Sequence, residues 1–463
     1  MKKRIFLSSL LLAVFLCACG NTPKERRPVS DYTPEPQGYT YRIFTDQQAD
    51  VSLCSLDYGT VRSDQLKAHY QAVEEALGCN IETNSTFRKT ILQELAAGAA
   101  ASVNNVDLVE TSAATVYALW HGGYLTALDE LPGIDPSSEK WGFASQKQAM
   151  TFGGKTYGFC GLWLNASFPT VSNVMFFNEK ILASCGGVYP YELLEKREWN
   201  WDTFETLSGI VTEEVGDDGS VHAFATPNGK YPDFITAAIY SNGCRLTVPD
   251  FEGKNVCGWN NDAALDALNW VKRLIRERKV SYDMKMELDD GRLDTLAFIN
   301  GRTAFLVGNA YRGVVNSQDS LLYTLGEDLR WISFPEGPAL GEGQTTAAFG
   351  SDDRFCAVTA TIGQNAANGA PILNAIFEPM EGEDENSYLE VLQREYFFYD
   401  KDFSLYESLL QNASSDGTLP AYSLTEAVEN VIAGVVSGTK SGKQALIEIE
   451  GFVNGNLEDN TKQ

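Results

Sequence analysis

The chain has 463 residues, with 36 Lys and Arg against 62 Asp and Glu, for a formal net charge of −26. A protein this acidic is a poor partner for nucleic acid or for an anionic membrane surface, since both carry charge of the same sign. Its 44% hydrophobic and 21% charged residues are globular proportions, and its length exceeds what one hydrophobic core holds, which argues for two lobes of about 200 residues each.

The first residues read as a leader. Lys2, Lys3 and Arg4 precede an apolar run from Ile5 to Phe15, closed by Leu16-Cys17-Ala18-Cys19 and then polar Gly20-Asn21. This is the grammar of a secretory signal peptide over residues 1–18, and the apolar run is too short to span a bilayer. The Leu-x-Ala-Cys ending resembles a bacterial lipobox. That resemblance implies cleavage after Ala18 and acylation of the Cys19 thiol, a palmitate-type lipid anchor holding the chain on the extracytoplasmic face of the cell membrane. A plain secretory leader with an incidental cysteine is the competing reading. Residues 19–39 carry Pro and charge with little apolar content, the composition of a flexible tether.

Folded sequence is expected from Tyr41, where Tyr41–Phe44 reads as a strand. A helix over Asp64–Leu77 follows, with Leu66, Tyr70, Val73 and Leu77 at helical spacing, Ser63 as N-cap and Gly78 as terminator. Asn80–Thr83 reads as a strand, Phe87–Ala97 as a helix and Val106–Val109 as a strand running out into polar Glu110-Thr111-Ser112. Such alternation predicts an α/β fold with a mostly parallel sheet, whose ligands sit beyond the carboxyl ends of strands. Further along, Val174–Phe177 predicts a strand leading into a helix capped by Asn178. Trp201–Val211 and Asp262–Lys279 predict amphipathic helices, the second burying Leu265, Leu268, Val271 and Leu274 or Ile275. Leu293–Phe298 predicts a helix stopped by Asn300-Gly301 before a strand Thr303–Val307, and the acidic run 378–385 predicts a solvated loop.

Catalytic and metal-binding motifs are missing. There is no G-x-S-x-G, no H-E-x-x-H and no dinucleotide fingerprint, and Ser437–Gln444 lacks the first glycine and the final Ser or Thr of a phosphate loop. His69, His121 and His222 are scattered, with His69 read as a surface or boundary residue. The seven cysteines after Cys19 show no zinc spacing, and their odd number prevents complete pairing. A Cys244–Cys257 bridge is left open. No metal, cofactor or enzymatic activity is expected.

Five segments, in order, resemble the extracellular solute-binding proteins of ABC importers, in the carbohydrate-binding branch that includes maltose-binding protein. They are Gly154-Lys155-Thr156-Tyr157-Gly158, Val174 to Leu182, Trp201-Asp202-Thr203-Phe204, Phe298 to Phe305, and Val436 to Lys440 followed by Ala445-Leu446. The resemblance implies an α/β, two-lobed periplasmic-binding-protein-like fold joined by hinge segments. The corresponding division is 40–158 with 292–346 as one lobe, 159–291 with 347–455 as the other, and 456–463 as a tail. It implies a monomeric receptor that captures a carbohydrate, an oligosaccharide in the first instance, by hinge closure and delivers it to the membrane subunits of an ABC permease. A sugar-sensing lipoprotein serving a membrane kinase and a surface glycosidase are the alternatives.

Sugars present an apolar C–H face and a rim of hydroxyls, so their sites combine flat aromatic rings with short polar side chains. By position, the resemblance implies a ligand set of Glu110, Thr111, Ser112 and Tyr311 from one lobe. It adds Trp163, Asn165, Ser172 and Asn173 from the crossing, Asn228, Tyr231 and Asp233 from the other lobe, and Phe349, Ser351 and Asp352 from the return crossing. Trp163 competes with a packing role at the hinge, and Asp233 with a helix-start role.

Overall fold

The computed structural model describes residues 38–461 apart from 47–51, 57–60, 86–90, 92, 98–105, 162–167, 187, 215–220, 228–231, 252–254, 284–292, 315–320, 351–352, 361, 363–364, 385–386 and 415–424. Among these, seven strands have four or more residues: β1 (Thr40–Thr45), β2 (Asn80–Ser85), β3 (Leu108–Ser112), β4 (Val174–Asn178), β5 (Phe305–Gly308), β6 (Leu329–Ser333) and β7 (Arg354–Val358). They form two sheets, ordered β7-β3-β1-β2 and β5-β4-β6, with helices packed against each. No described helix is long and apolar enough to cross a membrane.

In the first sheet β1 alternates, turning Tyr41, Ile43 and Thr45 inward. The helix Val61–Leu77 lays Leu66, Tyr70, Val73 and Leu77 into the same core. Gly78 ends that helix at φ +63°, a left-handed conformation that a residue without Cβ adopts without strain. Ser63 is buried inside the helix rather than capping it, because the helix starts two residues earlier. β2 and β3 flank β1 in parallel, and β7 closes the sheet antiparallel to β3 with Arg354 opposite Ser112.

The second sheet is wholly antiparallel, unlike the mostly parallel arrangement expected. Its central strand, β4, is buried at all five positions because both faces are covered. Val174 and Phe176 belong to the cluster that includes Trp331, Phe397 and Tyr406, with Phe176 edge-on to Trp331 at 4.7 Å. Met175 and Phe177 face the opposite cluster, built on Trp199, Trp201, Phe204, Phe234 and Trp270. There the helices Trp201–Glu214 and Asp262–Arg273 meet through a Trp201–Trp270 stack at 4.4 Å. Asn178 caps the helix after β4, and Asn261 caps the one from Asp262, accepting from Ala264 N at 2.8 Å. Leu268, Val271 and Leu274 are buried as their spacing predicts.

The sheets divide the chain differently from the expected division. β5 and β6, within 292–346, pair with β4 and not with the first sheet, while β7 and the helix Ala366–Ile376, within 347–455, join the first sheet and the helix Val61–Leu77. The C-terminal helix Gly442–Thr461 likewise runs through most of the expected tail.

Three smaller expectations are corrected, and the open question of a Cys244–Cys257 bridge is answered. β3 continues through Ser112, so Glu110 and Thr111 lie within the strand. His69 is buried, its Nε2 2.9 Å from Ile376 O. Glu378 and Glu383, in the acidic run, pair with Lys140 and Arg62 at 2.7 Å each. Cys244 and Cys257 form no disulfide, Cys257 standing opposite Thr247 in a short hairpin.

A buried ionic network ties β6 to its cover. Arg330 reaches Asp402 at 3.0 Å, Glu179 at 2.5 Å and Tyr189 Oη at 3.0 Å, and its guanidinium lies 3.9 Å from the Tyr399 ring centre. Removing one partner of such a pair strands the other in low dielectric. Arg330→Met is therefore expected to cost about 3–5 kcal/mol in chemical denaturation, with the Arg330→Met/Asp402→Leu double variant recovering much of the loss. A second test uses acid. Burial lowers the His69 pKa below its ordinary 6.5, so as pH falls below 6.5 the unfolded chain takes up a proton that the folded chain resists. Stability is thus lost as pH falls through that window, and His69→Gln should flatten this part of a melting-midpoint-against-pH curve.

Candidate functional site

The two sheets aim their ends at one another. The carboxyl ends of β1 and β3 stand beside the amino end of β7, and the carboxyl ends of β5 and β6 stand beside the amino end of β4. Between them the chain crosses through 168–173 and returns through 346–350 and 353. Ser172 and Ala348 pair as an isolated bridge, Ser172 Oγ donates to Asp353 Oδ2 at 3.1 Å, and Arg354 N donates to Thr170 Oγ1 at 2.8 Å. Gly350 fits here because a Cβ would stand 2.6 Å from Ser172 Oγ. Asn173 sits at φ +64°, buried, with Nδ2 donating to Thr346 O at 3.2 Å.

Several residues expected to hold ligand serve the scaffold. Glu110 is buried, and its Oε2 accepts from Leu53 N at 3.0 Å. Thr111 is buried and donates to the Asp46 carboxylate. Ser112 caps the helix Ala113–His121, its Oγ 3.3 Å from Thr115 N. Phe349 is buried, edge-on to Phe355 at 5.8 Å. Tyr311 is half-buried in the turn Ala310–Gly313, just past the end of β5, where Ala310 N bonds Val171 O at 2.8 Å. Asp233 lies in the first turn of the helix Pro232–Ser241 and is held by Arg312 at 3.0 Å. Trp163, Asn165, Asn228, Tyr231, Ser351 and Asp352 lie outside the described residues, as does Cys19.

Two arginines escaped the sequence reading. Arg354 pairs with Asp46 at 2.5 Å and donates to Thr45 Oγ1 at 3.1 Å and Glu110 O at 3.0 Å, binding the ends of β1, β3 and β7 together. Arg312 bridges Asp233 and Asp294, reaching the latter at 2.6 Å. An arginine opening an otherwise apolar strand, as in Arg354-Phe355-Cys356-Ala357-Val358, is the signal that would have marked the first. The cavity beside Arg354, lined by Glu110, Cys160 and Phe168, is about 10 Å³, room for one water at most. A larger surface hollow of about 560 Å³, lined by Asp202, Glu205, Arg273 and Arg278, includes no residue of the crossing. Among the described residues no group of three or more His, Cys, Asp or Glu could hold a metal ion.

Solved structures share this architecture along almost its whole length. The GacH receptor of Streptomyces glaucescens, solved unliganded and with acarbose, superposes with a TM-score of 0.62 at 16% identity, over 91% of this chain and 99% of that one. The chain has the two-lobed solute-binding-protein fold. The cyclic α-maltosyl-1,6-maltose binding protein of Arthrobacter globiformis gives 0.65 at 14%, over 91% and 100% of the two chains. A cyclo/maltodextrin-binding protein complexed with maltotetraose gives 0.61 at 13%, over 94% and 99%. No family model matches the sequence, and no curated protein matches it either. The crossing is where the chain passes between the two sheets of this fold, beside the strand ends named above.

Asn173 offers a test of the crossing's geometry. A β-branched residue fits the left-handed region badly, and removing the amide also removes the bond to Thr346. Asn173→Val is expected to cost about 2–3 kcal/mol, against about 1 kcal/mol for Asn173→Gly, measured by urea denaturation.

Proposed function

We propose that this chain is a lipid-anchored extracytoplasmic receptor, tethered through Cys19, that captures a carbohydrate between its lobes and delivers it to an ABC permease. The observation that carries the reading is the whole-length likeness to receptors whose structures hold acarbose or maltotetraose. The leader and lipobox-like Cys19 support an extracytoplasmic place, and an oligosaccharide cargo agrees with the size of those ligands. Closure about the crossing buries the ligand, and a preference for the closed state of a few kcal/mol moves the population decisively. On this reading Tyr311 supplies a stacking face at the end of β5, while Asp233 and Ser172, with Trp163 and Asn165, contribute polar and aromatic contacts around it. The receptor works as a monomer and turns nothing over.

The test is a thermal-shift screen of the chain from Gly20 onward, after partial unfolding to strip any co-purified ligand. Mono- and oligosaccharides are compared with peptides and polyamines. A saccharide at 100 times its dissociation constant adds about 2.7 kcal/mol, a clear rise in midpoint, and is recovered unchanged. Tyr311→Ala is expected to weaken that saccharide by about 1–3 kcal/mol. A response to peptides or polyamines alone, or release of product from the sugar, would overturn the reading.

A further inference from the structure

The charges around the crossing point to a narrower ligand class, an inference that rests on the saccharide reading above. Arg312, in the turn that follows β5, and Arg354, the first residue of β7, stand at strand ends beside the crossing. Each is already matched: Arg354 by Asp46 at 2.5 Å, Arg312 by Asp294 at 2.6 Å and Asp233 at 3.0 Å. Asp294 is fixed in its role, buried and also accepting from Thr295 N at 2.7 Å. Asp353 and Glu110, both buried, stand beside the same strand ends, bonded to Ser172 and to Leu53 N respectively. With Arg245, which donates to Thr345 O at 3.0 Å just before the return crossing, the described residues named here set three arginines against five carboxylates.

We infer that the site selects uncharged saccharides and rejects uronates and sugar phosphates, and that Asp233 acts as the specificity residue by occupying Arg312. A guanidinium recognises a carboxylate or phosphate through its planar fork of N–H donors. In Arg312 that fork is spanned by Asp294 on Nη1 and Asp233 on Nη2. An anionic sugar entering here would have to displace Asp233, and the remaining carboxylates would repel it in a setting of reduced dielectric. Neutral hydroxyls face no such conflict, because a hydroxyl donates to a carboxylate as readily as it accepts from an amide. Asp233 is the exchangeable partner of the pair, with 41% of its side chain exposed against 7% for Asp294.

The experiment is isothermal titration of the chain from Gly20 onward with matched probes: glucose- and galactose-based oligosaccharides, and glucuronate and galacturonate oligomers of the same length. The wild-type chain should bind a neutral oligomer at least 100-fold more tightly than its uronate counterpart. Asp233→Asn keeps the shape and replaces the charged partner of Arg312 Nη2 with a neutral amide that an anion displaces more readily, and should narrow that ratio at least tenfold. The Asp233→Asn/Arg312→Gln double variant should lose the gain, which separates an unmasked arginine from a general loss of negative charge. Uronate binding equal to or tighter than neutral binding overturns the inference and leaves the saccharide reading standing. An unchanged ratio in Asp233→Asn, or a gain that survives in the double variant, overturns the role of Asp233 and Arg312. Binding of neither class overturns the saccharide reading, and the inference falls with it.

Discussion

Burial of β4 on both faces is the constraint on which the rest of the arrangement depends. Five consecutive buried residues, Val174 to Asn178, leave the strand no solvent side, so it must be central and covered twice. At about 1.5–3 kcal/mol for each large apolar side chain removed from water, the placement of Val174, Met175, Phe176 and Phe177 outweighs any single polar contact nearby. β5 and β6 then align antiparallel on either side, which brings Gly308 and Ser333 level with Val174. The ends of three strands thereby gather where the chain crosses to the first sheet. The location of the interlobe space follows from hydrophobic placement, before any ligand-binding residue is considered.

The crossing adds polar links to this apolar packing. Thr170 with Arg354 N and Ser172 with Ala348 are short polar links worth about 0.5–1.5 kcal/mol net each, and Ser172 with the Asp353 carboxylate about 1.5–3 kcal/mol. They lie within a continuous apolar cluster in which Phe168, Val171, Ala347 and Phe349 of the crossing join Val109 and Phe355 of the first sheet to Val174 and Trp331 of the second. Asn173, already in the left-handed region, is the one place in the crossing where the described backbone departs from ordinary conformations.

Much of the fold was legible in the sequence because apolar spacing reports burial directly. Leu66, Tyr70, Val73 and Leu77, the unbroken run Val174–Phe177, and the Asn178 and Gly78 boundary residues all behave as their pattern dictates. Pairing between strands was not legible. Phe305–Gly308 and Arg354–Val358 look alike as short apolar runs, yet one joins β4 and the other β3, and local pattern carries no record of which. The lobes were divided wrongly at that point. His69 was misplaced for a related reason: its cover, Ile376, comes from a helix about three hundred residues away.

The candidate site was less legible still, because a short polar residue at a strand end has two uses and sequence does not distinguish them. Glu110, Thr111 and Ser112 stand where ligand contacts belong in an α/β sheet, yet their side chains bond to Leu53, Asp46 and Thr115. The residues that organise the surround, Arg354 and Arg312, were overlooked because their partners are remote in sequence or lie across the lobe, as with Arg354 and Asp46. The same separation explains how chains only 13–16% identical superpose over more than nine-tenths of their length. Hydrophobic placement of a few strands fixes where a cleft must lie. The polar residues lining it carry little of the folding energy and can be exchanged, so the fold passes between distant chains more readily than the identity of the ligand.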